Sequence, residues 1–123
     1  VTRTLVDLEI GKRWVIASAR DWPGWCRRGK GEDGALEALL AYGSRYAKAV
    51  GRVFVPAQHR ELEVGERLPG TTTTDLWAPS VVAEWEHEPL DAAGAGRLAD
   101  LLARCWRRFD EVVAGAPAEL RKG

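Results

Sequence analysis

The chain has 123 residues, 46% of them hydrophobic, with 18 basic and 18 acidic side chains and a formal net charge of zero. This length predicts one domain with its own core, and the apolar share argues against a disordered chain. The charge balance argues against a duplex-DNA binder, which usually carries a basic excess, and it leaves self-association unopposed.

Residues 4–10, TLVDLEI, alternate, with Val6, Leu8 and Ile10 on one face and Asp7 and Glu9 on the other. That period of two marks a half-buried strand. Gly11-Lys12 reads as a hairpin turn, and residues 13–19, RWVIASA, as the return strand. DWPG then turns the chain, because Pro23 fixes φ and Gly24 accepts a positive one. WCRR predicts a short third strand that ends over Gly29–Gly31.

Glu32 to Val50 predicts a helix. Leu36, Leu39, Leu40, Tyr46, Ala47 and Val50 form its apolar stripe, and Gly51 ends it. Either VFV at 53–55 or ELEVGER at 61–67 supplies the next strand. The second is favoured because Leu62 and Val64 alternate with polar residues. Residues 69–90 lack periodicity. A loop that long is usually functional or wraps over something, and Trp77, Val81, Val82 and Trp85 suggest a segment pinned to a surface. Asp91 caps a final helix, with Leu98, Leu101, Leu102, Cys105, Phe109, Val112 and Val113 in one stripe and Trp106 beside it. The expected fold is α+β: a small antiparallel sheet in the order β-β-β-α-β, one packed helix, a long irregular loop and a C-terminal helix. The expected units are 1–67, the loop 68–90, and 91–123 as part of the same body or a dimer contact.

No apolar run approaches the about 20 residues of a membrane span, and none resembles a signal peptide. No membrane partner and a cytoplasmic location are therefore expected. Arginine outnumbers lysine 14 to 4 and methionine is absent, which suits a GC-rich bacterial gene read from a GTG start at Val1.

The stretch ASARDWPGWCRRGKGEDGALEALLAY resembles the HicB-like domain of antitoxins. Asp21, Pro23, Gly24, Gly29, Ala35 and Leu39 match that family's pattern in order. The resemblance covers residues 1–67 and implies a truncated RNase-H-like fold. Trp25 stands where the family usually has a Cys or small residue, and the family's C-terminal DNA-binding segment has no counterpart. The tail from Pro89 resembles the linker and first helix of proteins that join a HicB-like domain to a DinB-like bundle. Such bundles often hold a metal on three histidines, and this chain has only His59 and His87.

Those two histidines are expected in solvated loops. Cys26 and Cys105 have no metal-ligand spacing and read as reduced, half-buried thiols. No cofactor or metal is expected. Asp7, Glu9 and Asp21 invite a two-metal nuclease reading, but a solvated outer strand face accounts for Asp7 and Glu9. Ser18, Ser44 and Ser80 lack a nucleophile elbow, and TTTT at 71–74 reads as a solvated loop.

Six tryptophans are a marked excess. Core anchoring is the plain explanation, and an aromatic interface is the functional one, since Trp and Arg dominate hot spots. Trp22, Trp25, Arg27, Arg28, Trp77 and Trp85 are the candidate partner-binding residues. The expectation is a non-enzymatic interaction module that self-associates as a dimer, through sheet edges or the final helix, or meets a partner protein. The alternative is a small-molecule-binding or degenerate enzyme domain with a pocket roofed by residues 69–90.

Overall fold

The computed structural model describes residues 3–122. Val1 and Gly123, at the ends of the first and last expected units, lie outside the described residues. The elements are β1 (Arg3–Ile10), β2 (Trp14–Ala19), β3 (Cys26–Lys30), α1 (Gly31–Val50), β4 (Glu61–Pro69) and α2 (Ala92–Ala114). Short 3₁₀ turns lie at Gly51–Val53, Pro56–Gln58, Thr74–Leu76 and Glu84–His87. This is the expected α+β order. β3 runs on to Lys30 through Gly29, and residues 53–55 do not form a strand.

The sheet order is β3-β2-β1-β4. β1–β2 and β2–β3 are antiparallel, but β4 runs parallel to β1. The sheet is therefore mixed, where an antiparallel one was expected. Three hairpin-linked strands leave β3 running the same way as β1. α1 then carries the chain back to the end where β1 begins, so β4 can only repeat the direction of β1.

One face of the sheet holds the core. Val6 and Leu8 of β1 and Val15, Ala17 and Ala19 of β2 point at α1, which buries Ala35, Leu39, Gly43, Tyr46 and Val50. Leu40, expected in that stripe, is exposed. The buried positions follow the fours and threes of one helix face, and Leu40 falls off it. Gly29 lets α1 sit close, because a Cβ there would overlap the backbone of Gly34. Each large apolar side chain buried here contributes about 1.5–3 kcal/mol.

The WPGW turn anchors one end of this core. Trp25 N–H donates to the Trp22 carbonyl at 3.0 Å, with Gly24 at φ 90°, as a Pro-Gly turn requires. Trp25 is only 1% exposed, and its Nε1 donates to the Leu39 carbonyl at 2.9 Å. Tyr46, Phe54 and His59 surround it edge to face or stacked, and Trp22 packs edge to face on Phe54. The Tyr46 hydroxyl donates to the Pro23 carbonyl at 2.9 Å, and burial pushes its pKa up to about 12. Two tryptophans around a tight turn thus serve the core.

Candidate functional site

The other face of the sheet carries Asp7 and Glu9, expected to be solvated. They are 7% and 5% exposed. Residues 70–88 fold across this face and are strapped to it by the two carboxylates. Asp7 accepts from Arg20 Nη2 at 2.7 Å, Trp85 Nε1 at 2.6 Å and the Glu66 amide at 3.0 Å. The Glu66 amide reaches Asp7 because the β1–β4 pairing shifts register between Val6 and Leu8. Glu9 accepts from the Thr74 hydroxyl at 2.6 Å and from the amides of Ser80 and Val81 at 3.1 and 2.8 Å. Thr74 is fully buried, so TTTT is not wholly a solvated loop. Asp75 caps the β1–β2 hairpin, accepting from the amides of Lys12, Arg13 and Trp14.

Burial alone would raise the Asp7 pKa. The hydrogen bonds from Arg20, Trp85 and the Glu66 amide, with the Arg20 charge, outweigh it and hold the carboxyl below its ordinary 3.8. Both oxygens of each carboxylate are committed to protein donors. Among the described residues, no three His, Cys, Asp or Glu side chains are grouped to hold a metal. His59, expected to be solvated, is buried. It stacks on Phe54 at 4.6 Å, and its Nδ1 lies 2.9 Å from the Thr4 hydroxyl.

Between strap and sheet lies a cavity of about 320 Å³, of a size that can hold a small ligand. Ser18, Cys26 and Leu68 form its floor, and Val81, Ala83 and Trp85 its roof. Cys26 lies 3.1 Å from the Ser18 hydroxyl, and burial pushes its thiol pKa up. It is therefore a protonated, weak nucleophile. Cys105, expected to be half-buried, is exposed.

The six candidate partner residues do not form one patch. Trp25 is in the core and unavailable to a partner. Trp22 is half-buried under Arg97, whose guanidinium lies 4.7 Å from its ring. Trp85 is held by Asp7 with Arg20 over its ring at 5.3 Å. Arg27, Arg28 and Trp77 do come together at the β3 edge, where both guanidiniums lie within 6 Å of the Trp77 ring. Trp77 is there in the left-handed region, at φ 66°, a conformation uncommon for a bulky side chain.

Among the described residues, α2 leaves an apolar face without a partner. The strap covers the sheet face on which it could have packed, so α2 rests on α1 instead. Leu101 is its one buried residue, and Arg104 donates to the Val50 carbonyl. Leu102 and Trp106 are each 59% exposed and Phe109 58%, and Val112 and Val113 are more than half exposed. Among the described residues, no helix is long and apolar enough to cross a membrane. Comparison with protein-family models, curated proteins and solved structures finds no match to this chain.

Proposed function

We propose that this chain is a non-enzymatic interaction module that pairs with a second copy of itself through the outer face of α2. The observation that carries this reading is the exposed apolar stripe of that helix. Leu98, Leu102, Cys105, Phe109 and Val112 recur at alternating spacings of four and three, the period of a helix-packing seam. Trp106 and Val113 widen the seam to the breadth used in helical bundles. An exposed patch of this kind marks an interaction surface.

A second copy suits this stripe because an apolar surface is complementary to itself, and a net charge of zero does not oppose pairing. The sheet edges suit it less. The β3 edge carries Arg27, Arg28 and Lys30, and β4 carries Glu61, Glu63 and Glu66. Pairing the β3 edge with its own copy would set like charges against each other, and pairing β4 would set mostly glutamates together, with Arg67 as its one cation. A HicB-like kinship is supported by the Asp21, Pro23 and Gly24 turn and by the β-β-β-α-β order. The absence of catalysis is supported by the full commitment of Asp7 and Glu9 to structural hydrogen bonds.

Phe109→Glu tests the proposal, since it places a charge in the centre of the seam without touching the core. Light scattering after gel filtration is expected to give two chains for the wild type and one for the variant, with unchanged circular dichroism. A wild-type mass of one chain would reject the proposal.

The roofed cavity favours a second reading, a small-molecule pocket for a largely apolar ligand. Added indole should then shift the Trp85 Nε1–H resonance. No shift at millimolar indole would discard that reading.

A further inference from the structure

The β3 edge brings together cations and rings that the α2 contact does not use. Arg28 lies 4.4 Å from the Trp14 ring and Arg27 4.4 Å from the Tyr42 ring. Arg45 stands on Tyr42 and Lys30 near Trp14, at 5.7 and 5.9 Å. Trp77 lies beside both β3 arginines. Among the described residues, none of Arg13, Arg27, Arg28, Lys30 and Arg45 has a carboxylate within the 4.0 Å of an ion pair. A chain of zero net charge thus gathers unpaired cations along one rim. β3 is an edge strand, and among the described residues no loop backbone hydrogen bond reaches Arg27, Arg28 or Gly29.

A guanidinium laid on an aromatic ring is held in orientation with its in-plane N–H donors free, which suits the forked geometry of a carboxylate. We propose that this rim is a docking surface for an acidic, extended peptide segment of a partner protein. Arg27 stands on the α1 side of the sheet and Arg28 on the strap side, since successive residues of a strand alternate. Acidic residues on both sides of an extended segment would each meet an arginine. A single-stranded nucleic acid fits less well. It needs free ring faces on which bases stack, and Trp14 and Tyr42 are half-buried rings whose outer faces carry guanidiniums.

The test is fluorescence anisotropy of the intact chain with a labelled peptide of consecutive Glu residues flanked by Val, which sets carboxylates on both sides of the extended segment. A peptide with Lys in place of Glu and a labelled oligothymidylate serve as comparators. The acidic peptide is expected to bind and the Lys peptide not to. Arg27→Glu/Arg28→Glu is expected to weaken binding by about tenfold or more, because the reversal sets like charges together. If that variant fails to fold, Arg27→Gln/Arg28→Gln is expected to weaken binding in the same direction. Phe109→Glu should bind as the wild type does, which separates this surface from α2. No binding of the acidic peptide, equal binding by the arginine variants, or tighter binding of oligothymidylate would each overturn the proposal.

Discussion

Two buried titratable residues tie this small protein to pH in different ranges. His59 is buried against Phe54, and burial lowers its pKa below the ordinary 6.5. In the unfolded chain the imidazole takes its proton first as pH falls. Stability from the neutral ring is therefore complete above pH 6.5 and declines below it, until the folded ring also protonates. Asp7 acts further down. Its depressed pKa contributes stability that is present above pH 3.8 and lost as pH falls through the folded value. The histidine can be isolated. His59→Phe keeps an aromatic ring beside Phe54 and cannot titrate, so its melting temperature should stay flat where that of the wild type begins to fall below pH 6.5. Parallel melting profiles for the two proteins would refute this role. Neither residue's environment was legible in the sequence. Alternation correctly placed Asp7 and Glu9 opposite Val6 and Leu8, but period two reports which face a side chain takes and is silent on what covers that face. His59 sits between a short turn and the start of β4, where no periodicity exists, and only its neighbours in space show that it is packed.

At the scale of elements, the strap over residues 70–88 depends on β1. Glu9 alone accepts from Thr74, Ser80 and Val81, so Glu9→Ala should release that segment while α1 and the sheet persist. Hydrogen exchange reads this directly. The amides of Ser80 and Val81 should lose protection in the variant, and those of β2 should keep it. Equal protection of Ser80 and Val81 in both proteins would show that the strap is held without Glu9, by the hydrogen bonds of Asp7 with Trp85 and of Asp75 with the β1–β2 hairpin and by its apolar contacts. The strands, the helices and the pinning of residues 69–90 were readable from alternation, from capping by Asp91 and from the length of an aromatic-bearing loop. The direction of β4 was not, because strand pairing direction follows from where a crossover helix ends. The means of pinning was also hidden. It rests on long-range pairs of a strand carboxylate with loop amides, and backbone donors leave no mark in a sequence. For the candidate partner residues, the Arg-rich flank made the WPGW cluster a candidate interface beside the plain reading of core anchoring. The packing of Trp25 against Leu39 and Phe54 placed it inside.

At the scale of the whole molecule, the fold closes its sheet on both faces, and among the described residues nothing covers the stripe of α2. α1 takes one face and the strap the other, and Leu101 alone is buried from the final helix. Leaving Leu102, Trp106, Phe109, Val112 and Val113 in water forgoes on the order of 1 kcal/mol or more for each side chain. That surface is the driving force available to pairing, from which the cost of association is subtracted. The stripe itself was plain in the sequence. What covers it was not, because an amphipathic helix has the same pattern whether it buries its face within a chain or between chains. Sedimentation equilibrium of the wild-type protein across micromolar concentrations tests the central claim most directly. Pairing through α2 predicts a mass that rises with concentration to twice the 13.5 kDa of the chain, and a Leu102→Glu protein that stays folded at the single-chain mass. A wild-type mass of 13.5 kDa at every concentration, or a Leu102→Glu variant that remains a dimer, would contradict it.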